Sequence, residues 1–195
     1  MLKEMQLLSQ WFMALGATSV IPAPELYIRH AGNVKGAVDS LTGTKMLKGG
    51  VPASEALGTF GYHFDIRGGI EGLGARASAK GLGEVKLPPP LFNVGIQHAI
   101  LNSVSNLAVI SPASGFEGYA SSAGRIVEFN CAVGQGIGIA AALAMLSNRN
   151  LNQISNQEVH DILVNTGKLS KIYGQPNSQQ EDIARLDNFE NALAA

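Results

Sequence analysis

Asn106-Leu107-Ala108-Val109-Ile110-Ser111 is a short apolar run that stops at Pro112. A polar, glycine-rich loop follows it, then Arg125. Next comes the small-residue segment Cys131-Ala132-Val133-Gly134-Gln135-Gly136-Ile137-Gly138-Ile139-Ala140-Ala141-Ala142-Leu143. The pattern reads as a buried strand, a loop and a helix lying unusually close to a neighbour. Glycine inside a helix costs about 1 kcal/mol relative to alanine, so three at alternate positions call for close approach of another backbone or a flat ligand. The helix starts near Arg125 on this reading. A cation there opposes the macrodipole, which predicts a phosphate or carboxylate beside it. Ser121 and Ser122 stand where a hydroxyl can cap the helix or face a phosphate.

A competing reading takes Gly134-Gln135-Gly136-Ile137-Gly138 as the glycine turn of a dinucleotide site, with residues 125–133 as its central strand. Ile139 occupies the position where that fingerprint needs Gly or Ala, and Arg125, Glu128 and Asn130 suit a buried strand poorly, so it is the weaker of the two.

Outward from this stretch, Leu2 to Leu15 has the spacing of an amphipathic helix, with Met5, Leu8, Phe12 and Leu15 on one face and Gly16 as its stop. Pro22-Ala23-Pro24 makes an extended link. Glu25 to Arg29 reads as a strand, Gly32-Asn33 as a turn, and 36–47 is ambiguous. Gly49-Gly50-Val51-Pro52 is a break, and the alternation of Tyr62, Phe64 and Ile66 suggests a strand within 56–66. Residues 68–84 read as a mobile Gly-rich loop. Pro88-Pro89-Pro90 forbids a central strand and favours an extended crossing segment. Downstream, Ser155-Asn156-Gln157-Glu158 is a capping box opening a helix through Val159, Ile162 and Leu163 that ends at Gly167. From Gln175 the chain turns polar, and 182–195 is either a last surface helix or a frayed tail.

Composition narrows the function classes. The chain has 195 residues, 46% of them apolar and 15% charged, which supports a packed core. A net charge of −1 without a basic stripe argues against nucleic acid or anionic lipid as partners. The longest apolar stretch, Ile137 to Leu146, is about half a membrane span, so no membrane crossing is expected. Cys131, the single cysteine, excludes an internal disulfide framework and suits a reducing, cytoplasmic setting; it should be buried on the helix. His30, His63, His98 and His160 are widely spaced, and no metal site is expected. There is no G-x-S-x-G elbow, and Asp65 reads as a structural carboxylate rather than a base.

Residues 106–146 resemble the C-terminal signature of FAD-dependent oxidoreductases of the glutathione-reductase-like superfamily. That signature runs roughly N-L-L-V-A-G-R-x-I-S, then R-V, then G-Q-A-A-G-x-A-A-A-L, and 111–138 follows it without a gap. Leu26-Tyr27-Ile28-Arg29, ending at Gly36, is similar to the family's L-Y-V-R-E-x-R-R-x-x-G. Tyr62 and Asp65 fit its Y-x-I-D-I-H, Leu87 to Leu91 loosely fits I-P-Y-R-x-L, and Gln153 to Gly167 matches its closing helix.

The resemblance implies FAD as cofactor and an α/β (α+β) chain holding part of an FAD/NAD(P)-binding-type fold. It divides the chain into an N-terminal helix and linker (1–23), a β-rich substrate-domain-like segment (24–105), a flavin-facing strand, loop and helices (106–167) and a polar tail (168–195). Ser111, Pro112, Ser121, Ser122 and Arg125 would lie near the ribityl–pyrophosphate, Gly134 and Gly138 would allow tight helix packing, and Arg29 would face the substrate. Departures from the pattern remove polar groups: Ser111 and Pro112 replace its Gly-Arg, Gly115 and Gly118 its Ser and His, and Arg67 its second His.

The implied activity is hydride or electron transfer on a small molecule. The strand–G-x-G-x-x-G–helix that holds ADP is expected from a partner chain or by self-association, the chain being a truncated domain. The alternative is a non-catalytic remnant or interaction subunit.

Overall fold

The computed structural model describes residues 2–22, 32–65, 73–82, 86–173 and 178–194. Its centre is α4 (Val127–Ser147), on which Phe129, Val133, Gly136, Ile137, Ala140 and Ala144 recur at helical spacing and are all buried. Residues 127–133 are therefore helix, which removes the central strand that the dinucleotide-turn reading required. Glu128 in the first turn complements the macrodipole. At the other end Asn148 takes a left-handed conformation (φ 52°), and Arg149 N–H returns to the Ala144 carbonyl at 2.9 Å, closing the last turn.

Two small sheets flank this helix among the described residues. β1 (Leu41–Thr42) pairs in parallel with β4 (Phe116–Glu117), and β2 (Gly58–Gly61) pairs antiparallel with β3 (Leu91–Val94). The prolines keep residues 88–90 out of the ladder, and β3 begins directly after them. Gly50 has a positive φ (72°), and its missing Cβ is the space taken by the Asn93 backbone, so this break is required by both conformation and contact. Phe92 and Val94 of β3 meet α4 in the main core, where the Phe129 ring stands 5.5 Å from Phe60, 6.1 Å from Phe92 and 5.7 Å from Phe116.

The remaining helices are α1 (Leu2–Ala14), α2 (Gly43–Leu47), α3 (Leu73–Ala79), α5 (Asn156–Asn165) and α6 (Gln180–Ala194). α1 ends as its sequence indicates, in a Schellman pair from Gly16 N to Met13 O and Ala17 N to Phe12 O, both 3.0 Å. α5 carries the full Ser155–Glu158 capping box and buries Val159 and Leu163.

Several expectations change. Residues 106–111 form no strand and are not a buried layer: Asn106 is left-handed (φ 60°), and Leu107 and Ile110 are 42% and 40% exposed. The segment instead folds back on 99–101 through an Ile100–Ala108 bridge and a 2.8 Å bond from Val109 N to Ala99 O. Within 68–84, Leu73–Ala79 is helix rather than loop. The described part of 24–105 contains only the short strands β1, β2 and β3 beside its helices, so it is mixed rather than β-rich. The turn expected at Gly32-Asn33 reaches outside the described residues. The polar tail is largely α6, which buries Leu186 and Phe189 in a second cluster with Leu47, Ala77 and Tyr119. α4 is also longer and more apolar than half a span: by length and composition alone, with a mean hydropathy of 1.6, it could cross a membrane. The strand expected at Glu25 to Arg29 lies outside the described residues.

Candidate functional site

The approach to α4 is a chain of tight turns. The 3-10 turn Gly118–Ser122 passes into Ala123 and Gly124, with Gly124 N bonded to Ala120 O at 3.2 Å and Ile126 N to Ala123 O at 3.0 Å. Asn130, one turn into the helix, reaches back with Nδ2 to the carbonyls of Gly124 (2.7 Å) and Ile126 (2.9 Å). These bonds fix the direction in which the helix start points.

Arg125 sits at that start with its side chain 8% exposed. Its Nε donates to Ser122 O at 3.2 Å, and its Nη2 donates to the Tyr62 hydroxyl at 3.0 Å and to an Asp65 carboxylate oxygen. The guanidinium also lies 5.4 Å from the centre of the Tyr62 ring. The anionic partner that a cation at a helix N-terminus demands is thus the carboxylate of Asp65. Asp65 has the structural role expected of it.

The other residues implied by the resemblance fall into separate groups. Ser122 is buried and donates its hydroxyl to Tyr119 O at 2.7 Å, so it does not cap α4; the helix has no side-chain cap at all. Ser121 lines a cavity of about 510 Å³ together with Glu117, Gly118 and Glu190. Ser111 and Pro112 occupy a separate turn, where the Ser111 hydroxyl accepts from Ala113 N (3.0 Å) and the Pro112 carbonyl accepts from Asn33 Nδ2 (3.1 Å). No hydrogen bond among the described residues joins this turn to Arg125.

The glycines divide differently from the expectation. A Cβ on Gly138 would meet nothing within 4 Å, and one on Gly134 would find only Ile110 at 3.9 Å. The close approach belongs to Gly136, whose Cβ would stand 2.7 Å from Leu57 and 2.8 Å from Ile96. Alternate residues of a helix point about 200° apart, so one of the three faces the core and its neighbours do not. Cys131 is exposed, not buried, for the same reason. Arg29 lies outside the described residues. Among the described residues no group of three or more His, Cys, Asp or Glu side chains could hold a metal ion.

Glu190 of α6 escaped the sequence reading. Its carboxylate accepts from Gly43 N (2.9 Å), Thr44 N (3.0 Å), the Thr44 hydroxyl (2.8 Å) and Tyr119 N (3.0 Å). It ties the C-terminal helix to the loop that precedes α4.

The chain belongs to the FAD dependent oxidoreductase family, whose pattern matches residues 4–163, from α1 through most of α5. No curated protein and no solved structure matches it. FAD is the cofactor of this family, and the start of α4 fits part of that group. No side chain caps the first-turn N–H groups. The buried Asn130 Oδ1 has no partner among the described residues. The site therefore offers backbone donors for phosphate oxygens.

Proposed function

We propose that this chain forms the flavin-facing C-terminal part of an oxidoreductase of the glutathione-reductase-like superfamily acting on a small molecule. FAD, when bound, supplies the hydride or electron transfer. The chain's own residues bind and orient. Arg125 and the first-turn N–H groups of α4 hold the ribityl–pyrophosphate, Ser121, Ser111 and Pro112 are the further residues the resemblance assigns to it, and Ser122 braces the turn through its bond to Tyr119 O. Gly134 and Gly138 leave the flank of α4 bare, and Arg29 faces the substrate. Asp65 and Tyr62 hold Arg125 in place. The adenosine end needs a glycine-rich strand-turn-helix outside the described residues, reached through self-association or a partner chain.

The observation that carries this reading is the α4 N-terminus, which keeps unmet hydrogen-bonding groups inside the family-matched segment. The test is the visible spectrum of the purified chain, followed by titration with FAD. A flavin band that co-elutes with the protein and weakens in Arg125→Met is the expected result. Absence of binding at tens of micromolar FAD, with any candidate partner chain present, would overturn it.

The second reading, an interaction module derived from such an enzyme, is favoured by α1, where Leu7, Leu8, Trp11, Phe12 and Met13 are all exposed. Concentration-dependent sedimentation without flavin binding would support it.

A further inference from the structure

α1 turns toward water the side that its sequence fits for a core. Leu7, Leu8, Trp11, Phe12 and Leu15 are between 46% and 66% exposed, whereas Met5 and Ser9 are half-buried. At about 100° per residue, those five fall within an arc of about 140°, wide enough for a core-facing stripe. Lys3, Gln6 and Gln10 fall on the opposite flank, and Met13 lies off the stripe. Trp11 and Phe12 pack edge to face at 4.9 Å, so the middle of the stripe is a knob of two rings.

From Met5 to Pro24 the chain carries no charged residue. The stripe has nothing with which to attract a phosphate, a carboxylate or a basic segment, so an apolar surface is what fits it. Its own copy is one. Glu4 falls on the same arc as the stripe, at its N-terminal end. Two α1 helices side by side in parallel would set Glu4 against Glu4, a like-charge contact. An antiparallel pair about a two-fold axis at Trp11 sets Trp11 against Trp11 and Leu7 against Leu15, and it sends the two Glu4 side chains to opposite ends.

The area agrees with such a pair. The exposed parts of the five residues come to roughly 600 Å² per copy, so covering both would bury about 1,200 Å², the lower edge of specific, stable interfaces. A single apolar patch of that size is at the upper end of what a monomer leaves open.

We propose that the chain forms a two-fold dimer through α1, packed antiparallel on the α1 of a second copy with Trp11 at the axis. The dimer names the element behind the self-association route of the proposed function. It rests on the α1 face and its charge pattern, not on FAD.

Trp11 is the one tryptophan of the chain, so its fluorescence reports this contact directly. The experiment takes the full chain without FAD from about 1 to about 200 μM, a range suited to an interface at the small end of the scale, and follows sedimentation and Trp11 emission together. A monomer–dimer transition with a blue shift of Trp11 is expected. Leu8→Glu would bury an unpaired charge in the pair and should weaken it about a hundredfold. Gln10→Glu, on the opposite flank, should leave it intact; far-UV circular dichroism checks that both variants stay folded. In a Cys131→Ser background, Leu7→Cys and Leu15→Cys chains should form disulfide-linked pairs with each other on mixing, and each alone should form few. A monomer at every concentration, a dimer unchanged in folded Leu8→Glu, or Leu7→Cys chains that pair chiefly with themselves would overturn the proposal. So would a Trp11 shift that needs phosphatidylcholine vesicles rather than higher protein concentration, which would give the stripe to a membrane surface. With FAD absent throughout, failure here leaves the flavin titration to be read on its own.

Discussion

Gly136 and Gly138 stand two positions apart on α4 and meet opposite surroundings. Gly138→Ala replaces a poor helix former where space is open, and it should raise stability by about 0.5–1 kcal/mol. Gly136→Ala gains the same propensity, but it drives a methyl group into the buried tips of Leu57 and Ile96. Overpacking costs about 1–3 kcal/mol, so the net change should be destabilising. Urea denaturation of the two variants checks the pair, and a gain in both would contradict the packing described for Gly136. At this scale the sequence was legible where a residue's neighbours in the chain determine its need. Arg125 at a helix start demanded an anion, and Asp65 supplies it across 60 residues. Which glycine meets the core was not legible, because three alternate small residues look alike until a partner surface selects one. The burial of His98 was unreadable for a similar reason: its aromatic neighbours Phe116 and Phe129 lie 18 and 31 positions away and arrive only with the fold.

Among the elements, α5 was the most readable, since a capping box is a local hydrogen-bond exchange that needs no tertiary partner. Ser155→Ala should cost about 1 kcal/mol. Glu158 adds a pH dependence. Its hydrogen bond from Arg149, then those from the Ser155 backbone and hydroxyl, lower its pKa from 4.5 to about 2. A carboxylate depressed in the folded state stabilises fully above its unfolded value and loses that contribution as pH falls from about 4.5 to about 2. Glu158→Gln should therefore lower the melting temperature at pH 7, and the gap from the parent should close on titration to pH 2. The side chain is 36% exposed, so solvent screening keeps the gap modest. A gap that persists unchanged at pH 2 would assign the loss to packing instead. The run 106–111 misled for the opposite reason. Its apolar composition fits a strand, but the left-handed Asn106 and its 2.9 Å bond from Leu151 N turn the segment back before a ladder can extend.

Across the whole molecule, the second core was the part least visible in the sequence. α6 follows a polar stretch and opens with Gln180, Glu181 and Asp182, yet its Leu186 and Phe189 are buried against Leu47 and Tyr119. Leu186→Ala should cost about 2–5 kcal/mol through the cavity it leaves. Glu190→Ala should cost about 1–3 kcal/mol by stranding the N–H groups of Gly43, Thr44 and Tyr119. Hydrogen exchange at those three amides distinguishes the two variants: Glu190→Ala should release them directly, and equal protection in parent and variant would refute the carboxylate's role. α6 also lies beyond the residues matched by the family.

The bond between Gly43 and Glu190 spans 147 positions. On the ribosome, α2 and the loop before α4 emerge long before the carboxylate that completes them. The growing chain must carry those amides in water, and the apolar faces of Leu47 and Tyr119 uncovered, until α6 has been translated. Synthesis therefore sets the order of events: the α4 core can consolidate first, and the second core closes only once α6 has emerged.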